Sequence, residues 1–330
     1  MKSRMTFMSA VAVAALVAVG GTANAETLRF GHVGEPGSLF AESAEEFARA
    51  ANERFEEAGL DYEIQVHGAS AMGNDEEMLT RLRAGTLDFS LPSTIMSSVL
   101  DEFGIFEMPY LVQDRDHMKR IEEEIVWPKL APLAEERGYK ILAVWENGYR
   151  HITNNTRPIV EPSDLEGLRL RTPRGAWRVR MFEEYGASPS AMAFGEVFMA
   201  LQTGVMDGQE NPFAQIASAR FQEVQDYLSL SGHVYTPGYA LAGKDRFNQH
   251  PEEVQEILQQ TAQETQAFVY ETAQRMEEEL LEELSQEMEV NEVDIDAFIE
   301  ASQPIYDRFG EEVEGGGEMV EQALELAPES

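Results

Sequence analysis

Leu168 to Arg180 reads L-R-L-R-T-P-R-G-A-W-R-V-R, and Met192 to Pro212 reads M-A-F-G-E-V-F-M-A-L-Q-T-G-V-M-D-G-Q-E-N-P. Leu168 to Arg171 reads as a strand, entered through the turn Pro162-Ser163-Asp164. Glu196 to Thr203 reads as a helix closed by Gly204. Strand, loop and helix in succession are the units of an α/β sheet. The first stretch holds Arg169, Arg171, Arg174, Arg178 and Arg180 with no acid, in a chain of 60 acidic and 25 basic residues. A cationic island on so anionic a chain implies that something negative is held there.

The same alternation runs through the first half. Leu28 to His32 is a short apolar strand entering the loop Gly34-Glu35-Pro36-Gly37. A helix is expected next, with Ser43 and Glu46 at capping-box spacing, Phe47, Ala51 and Phe55 on one face, and Gly59 at its end. Tyr62, Ile64 and Val66 alternate as a strand, Glu76 to Ala84 reads as a helix stopped by Gly85, and Leu87 to Leu91 as another strand. Lys140 to Trp145 adds a strand in the second half. The expectation is an α/β architecture with a largely parallel sheet, in two lobes, with ligand in the cleft between them.

Pro251 to about Met288 is helical with few breakers. Unbroken, it would span roughly 55 Å at about 1.5 Å per residue and bridge both lobes; two shorter helices with a kink are the alternative. The tail breaks at Gly315-Gly316-Gly317 before a short amphipathic stretch.

Residues 1–25 read as a secretory signal: Lys2 and Arg4, an apolar stretch from Phe7 to Gly20, and the small-x-small site Ala23-Asn24-Ala25. The apolar run is short for a membrane span, which needs about 20 residues, although an uncleaved anchor is the alternative. Removing this segment leaves 23 basic against 60 acidic residues, a net charge of −37. No cysteine is present, which fits a bacterial periplasm and excludes thiol chemistry and cysteine-ligated metals. The charge argues against nucleic acid and anionic membrane surfaces. Such an acidic surface suits solubility in a salty medium, where molar salt cuts the screening length to about 3 Å.

Enzyme chemistries find little support. Gly31-His32-Val33-Gly34 is no dinucleotide fingerprint, no G-x-S-x-G elbow appears, and the six histidines never fall in H-E-x-x-H spacing. Asp294 and Asp296 lack the rest of a calcium loop and suit a helix cap better. No cofactor or metal is expected.

Glu196 to Pro212, with Q-T-G-V-M-D-G-Q-E-N-P at its core, resembles the solute-binding proteins of TRAP transporters, DctP type. Supporting matches are D-L-E-G-L-R-L-R-T-P (Asp164 to Pro173), G-Y-R-H-I-T-N (Gly148 to Asn154) and L-R-A-G-T-L-D-F (Leu82 to Phe89). The resemblance implies a two-lobed periplasmic-binding-protein-like fold with a hinge and a long bridging helix. It implies lobe I from 26–148 plus about 236–276, and lobe II from 149–235 plus about 277–330. It also implies a periplasmic receptor that closes on a small organic acid and delivers it to TRAP membrane subunits, one small and one large, driven by an ion gradient.

Carried over residue by residue, Arg171 falls where the family's arginine clamps the substrate carboxylate, and Asn211 where an amide meets the same group. Arg150 matches a second arginine near the ligand, and Phe194 an aromatic on its carbon skeleton. A guanidinium suits the first role because its planar fork matches a carboxylate and it stays charged when desolvated. From the residues alone, Arg174 and Trp177 follow the Arg171 strand at a loop-to-helix entrance. There Arg174 could bond hydroxyls or a second carboxylate and Trp177 could cover a sugar face, against a solvated arginine and a core tryptophan. Glu35 could accept hydroxyl protons or cap a helix. Ser93, in L-D-F-S-L-P-S, stands where sialic-acid receptors carry an acid, which argues against sialic acid. Pro189-Ser190-Ala191-Met192 departs from the family's P-x-P-M run, and the aromatic-rich site of ectoine receptors is not evident. The expected ligand is a sugar acid such as a uronate or aldonate, with a C4-dicarboxylate or keto acid as the alternative. A sensory receptor without transport is the other reading of the same cleft.

Overall fold

The structure, a computed structural model, describes residues 25–328; the expected signal segment, apart from Ala25, lies outside them. Eleven strands are present among the described residues: β1 (Glu26–Gly31), β2 (Tyr62–His67), β3 (Phe89–Ser90), β4 (Tyr139–Tyr149), β5 (His151–Asn154), β6 (Arg169–Thr172), β7 (Ser188–Ala191), β8 (Gly208–Asn211), β9 (Tyr227–Leu230), β10 (Tyr235–Gly243) and β11 (Glu289–Glu292). They form two sheets, ordered β2-β1-β3-β10-β4 and β11-β9-β5-β8-β6-β7, each the centre of one lobe. Both sheets are mixed rather than largely parallel. β10 runs antiparallel to β3 and β4, and β5 antiparallel to β8 and β9. The reason lies in the crossings. β4 leads directly into β5, and β9 into β10, so each pass between lobes returns a strand in the opposite sense.

Local chemistry accounts for most boundaries. The first helix, Leu39–Ala58, is capped by Ser38 rather than by Ser43. The Ser38 Oγ accepts from the Ala41 N–H, while Ser43 lies inside the helix and donates its hydroxyl to the Leu39 carbonyl at 2.6 Å. Gly59 ends it at φ 68°, a left-handed conformation that a Cβ disfavours. The helix Asp75–Arg83 begins with a reciprocal capping box between Asn74 and Glu77. Asp294 accepts from the Ala297 N–H, the cap that its spacing suggested.

The helix Glu252–Glu287 runs unbroken for 36 residues, so the continuous reading holds and the kinked one does not. Val254, Leu258, Ala262, Val269 and Ala273 enter the large core around the first sheet, whereas Leu284 enters a smaller core with Val197, Leu201, Phe213 and Phe221. One rigid rod thus belongs to both lobes. The tail divides. The helix Ile295–Glu312 packs on Ala176–Glu184 of the second lobe. The helix Gly316–Glu325 packs against Ile295–Glu312 and also reaches the first lobe: the Ala323 carbonyl is 2.7 Å from His117 Nε2, and Lys129 Nζ bonds Gln322 at 2.7 Å. No helix among the described residues is long and apolar enough to cross a membrane.

Candidate functional site

Between the sheets lies a cleft, walled from the first lobe by Val33, Phe40, Asn74, Asp75, Glu76, Ser93, Thr94 and Asn147. From the second lobe and the crossing come Arg150, Arg171, Arg174, Met192, Phe194, Asn211 and Gln215.

Arg171 is the third residue of β6, paired with Ser190 on β7 and Gln209 on β8. It is 2% exposed. Its Nε and Nη2 donate to the Met192 carbonyl at 3.0 and 2.6 Å, and Nη1 has no hydrogen-bond acceptor among the described residues. Burial lowers its pKa to about 9, with Glu210 and Asp75 pulling the other way. The rest of the arginine island is neutralised. Arg169 pairs with Asp207, Arg174 with Glu76, Arg178 with Glu107 and Glu210, and Arg180 with Glu312. Arg171 alone of the five has no carboxylate partner among the described residues.

Asn211 ends β8 opposite His151 on β5. Its Oδ1 accepts from Arg150 Nη2 at 3.0 Å and its Nδ2 donates to Gln209 Oε1 at 2.5 Å. Arg150, at the β4–β5 crossing, is held on Glu210 by Nε at 2.5 Å and Nη2 at 3.0 Å. Burial would raise the Glu210 carboxyl, but the guanidinium groups of Arg150 and Arg178 outweigh it and hold the group well below the carboxylate range. Burial lowers His233, 3.1 Å from Glu210 Oε2, to about 4.

Phe194 lines the cavity, half-buried against Phe221 with ring centroids 5.8 Å apart. Ser93 also lines it, its hydroxyl donating to the Pro237 carbonyl at 2.7 Å. Arg174 stands at the mouth, its Nη1 2.7 Å from Glu76 Oε2. Two residues are placed elsewhere. Trp177 is a core residue: its ring meets Phe309 edge-on at 5.1 Å and lies under the Arg180 guanidinium, so it covers no ligand face. Its contact with Gly104 is so close that a Cβ there would come within 2.5 Å of Trp177 Cδ1. Glu35 is outside the cavity lining and caps no helix through its side chain; its carbonyl accepts from the Ser38 N–H at 3.0 Å.

Sequence reasoning missed Asp75, Glu76 and Asn147. Asp75 opens its helix at the cavity wall, and its Oδ1 is buried with no hydrogen-bond partner among the described residues. Burial raises this carboxyl to about 7, against the opposing pull of Arg171. Its position after β2, at the start of the following helix, was the available signal, since α/β sheets bind ligands at strand carboxyl ends. No group of three or more His, Cys, Asp or Glu among the described residues is arranged for a metal.

The matched family is described as bacterial extracellular solute-binding protein, family 7 (DctP), and the match covers residues 30–312. The chain belongs to this family. Its relatives include the 2,3-diketo-L-gulonate-binding periplasmic protein YiaO of Escherichia coli K12, 29% identical over 306 residues, 92% of each chain. A TRAP periplasmic solute-binding protein from Polaromonas sp. JS666 bound to D-erythronate superposes with a TM-score of 0.87 at 30% identity, covering 92% of this chain and 100% of that one. The sugar acid binding protein DctPAm from Advenella mimigardefordensis, in complex with galactonate, gives 0.86 at 30% identity, with 92% and 98% covered. This DctP-type receptor therefore has the two-lobed fold of TRAP solute-binding proteins, a family that binds small acids.

Proposed function

We propose that this chain is the periplasmic solute-binding subunit of a TRAP transporter, and that it captures a hydroxylated monocarboxylate, a sugar acid such as an aldonate or uronate. It is a receptor and not an enzyme, and it delivers the acid unchanged to a small and a large membrane subunit driven by an ion gradient. The observation that carries this reading is Arg171, the one arginine of its island without a carboxylate partner among the described residues, buried on a cavity wall with Nη1 uncommitted there. A ligand carboxylate completes its charge balance, and Asn211 supplies a neutral donor beside it.

Asp75 and Ser93 favour a hydroxylated ligand. The partnerless Oδ1 of Asp75 accepts from a hydroxyl, whereas a second ligand carboxylate would meet like charge there once Asp75 ionises. A C4-dicarboxylate would need a second free cation, and a simple keto acid would offer no hydroxyl to Asp75. Arg174 is paired with Glu76, and Arg150 keeps its Nε and Nη2 on Glu210, so its charge adds to the wall without offering a free fork to a second carboxylate. The sugar-acid reading is therefore the better supported.

Binding of ligand at about a thousand times its dissociation constant adds about 4 kcal/mol of stability. A melting-temperature screen across aldonates, uronates, C4-dicarboxylates and keto acids, followed by calorimetry, tests the proposal. A shift with sugar acids is expected. A shift with succinate or malate alone would overturn the ligand class, and recovery of a chemically altered acid would overturn the receptor role.

A further inference from the structure

Arg178 belongs to the arginine island yet lines no part of the cavity, and its side chain is fully buried. It sits on the second-lobe helix Ala176–Glu184 and bridges two carboxylates from different lobes. Its Nη1 lies 2.6 Å from Glu210 Oε2 and its Nη2 lies 2.7 Å from Glu107 Oε2, on the first-lobe turn Asp101–Glu107. The same Glu210 oxygen also receives Arg150 Nε at 2.5 Å and stands 3.1 Å from His233 Nε2. Arg150 in turn holds Asn211 Oδ1 at 3.0 Å, and both Arg150 and Asn211 face the cavity.

Two consequences follow from this chain of contacts. First, three groups converge on one oxygen of Glu210, which fixes the carboxylate plane and hence the fork of Arg150. Second, a Glu210 shared between two guanidinium groups cannot cancel Arg150 one for one, so the cavity wall keeps an excess of positive charge. In a dry interior that excess acts on a bound anion with little screening.

We infer that Arg178 is a positioning residue for the bound acid: it pins Glu210 and draws off part of its charge, so that Arg150 and Asn211 present an aligned, net-positive wall. The inference rests on the reading that the cavity binds a carboxylate. Glu107 is the other counter-charge of Arg178 and lies outside the cavity lining; burial raises its carboxyl to about 7 against the pull of Arg178 and Arg150, so near neutral pH it cancels only part of the Arg178 charge.

The test compares two ways of disturbing the network, by calorimetry with whichever of D-erythronate, D-galactonate or D-glucuronate binds the parent protein. Glu107→Gln is expected to bind within about threefold of the parent. Arg178→Met combined with Glu107→Leu removes the buried pair together, a replacement that proteins commonly tolerate. That variant is expected to lose about tenfold or more in affinity, less than the roughly 30-fold at the low end for a truncated buried charge partner because Arg178 does not line the cavity, with the melting temperature of the unliganded protein nearly unchanged. Arg178→Lys, which keeps the charge, is expected to recover most of the loss. Equal losses in Glu107→Gln and the double variant, or parent-like binding by the double variant, would overturn the inference. If the double variant does not fold, Arg178→Gln with Glu107→Gln carries the same comparison. If the parent binds none of the three acids, the functional reading falls first and this inference with it.

Discussion

Arg174 and Glu76 meet across the mouth of the cavity, Nη1 to Oε2 at 2.7 Å, the arginine carried by the second lobe and the glutamate by the first. Because the partners sit on opposite lobes, the pair exists only when the lobes are together, and it adds to the contacts that favour the closed state. Both side chains are about half exposed, so the pair is a weak latch, within the roughly 0.2–1 kcal/mol of exposed ion pairs. Glu76→Gln or Arg174→Gln should therefore speed ligand release by up to about fivefold at low salt and have almost no effect at high salt. Stopped-flow dissociation at two ionic strengths checks this, and a salt-independent change would show that the pair is not acting as a latch.

Arg171→Ala should weaken sugar-acid binding by at least about 30-fold, the lower end of the cost of losing a buried charged partner. Its removal also relieves the desolvation that lowers this guanidinium to about 9, so the unliganded protein should stay folded. Calorimetry and a thermal melt on one sample check both. Parent-like affinity would place the carboxylate elsewhere in the cavity.

Trp177→Ala should act on stability and spare affinity. The ring is buried against Phe309 and Gly104, and truncating a large core aromatic typically costs about 3–5 kcal/mol. Below the lowered melting temperature, the dissociation constant should remain within about threefold of the parent. A large loss of affinity at a parent-like melting temperature would return Trp177 to the site.

These residues show what local sequence can carry. Arg171 and Asn211 were singled out through the resemblance of their motifs to a known family, and both line the cleft from neighbouring strands, Arg169–Thr172 and Gly208–Asn211. The long helix was legible because its apolar period runs on with few breakers. Trp177 was not, because the face it turns inward is chosen by Phe309, 132 residues later in the chain. The island's surplus charge was overstated for the same reason. Glu76, Glu107 and Glu312 neutralise its members from distant positions. Asp75 was hidden by abundance: among 60 acidic residues no composition argument marks out one, and only the fold shows a carboxyl oxygen buried without a partner.

Asp75 should also leave a signature in the pH dependence of stability. Its folded pKa, raised by burial to about 7 from an ordinary 3.8, means the folded protein holds this proton more tightly than the unfolded chain does. The sign follows from linkage: this group costs nothing below about pH 4, costs progressively more from there to about pH 7, and imposes a constant penalty above. Asp75→Asn keeps the shape and removes the ionisation. The unliganded variant should therefore melt about 2 °C or more above the parent at pH 8, with the gap closing toward pH 4. With ligand the gap should narrow at neutral pH, because the variant replaces a charged acceptor for a sugar hydroxyl by a neutral amide oxygen, about 1.5–3 against about 0.5–1.5 kcal/mol for the hydrogen bond. Calorimetric melts from pH 4 to 8, with and without D-galactonate, check both halves. A gap that does not vary with pH would mean that Asp75 does not titrate in this window, and the acceptor role would then rest on the ligand-bound melts alone.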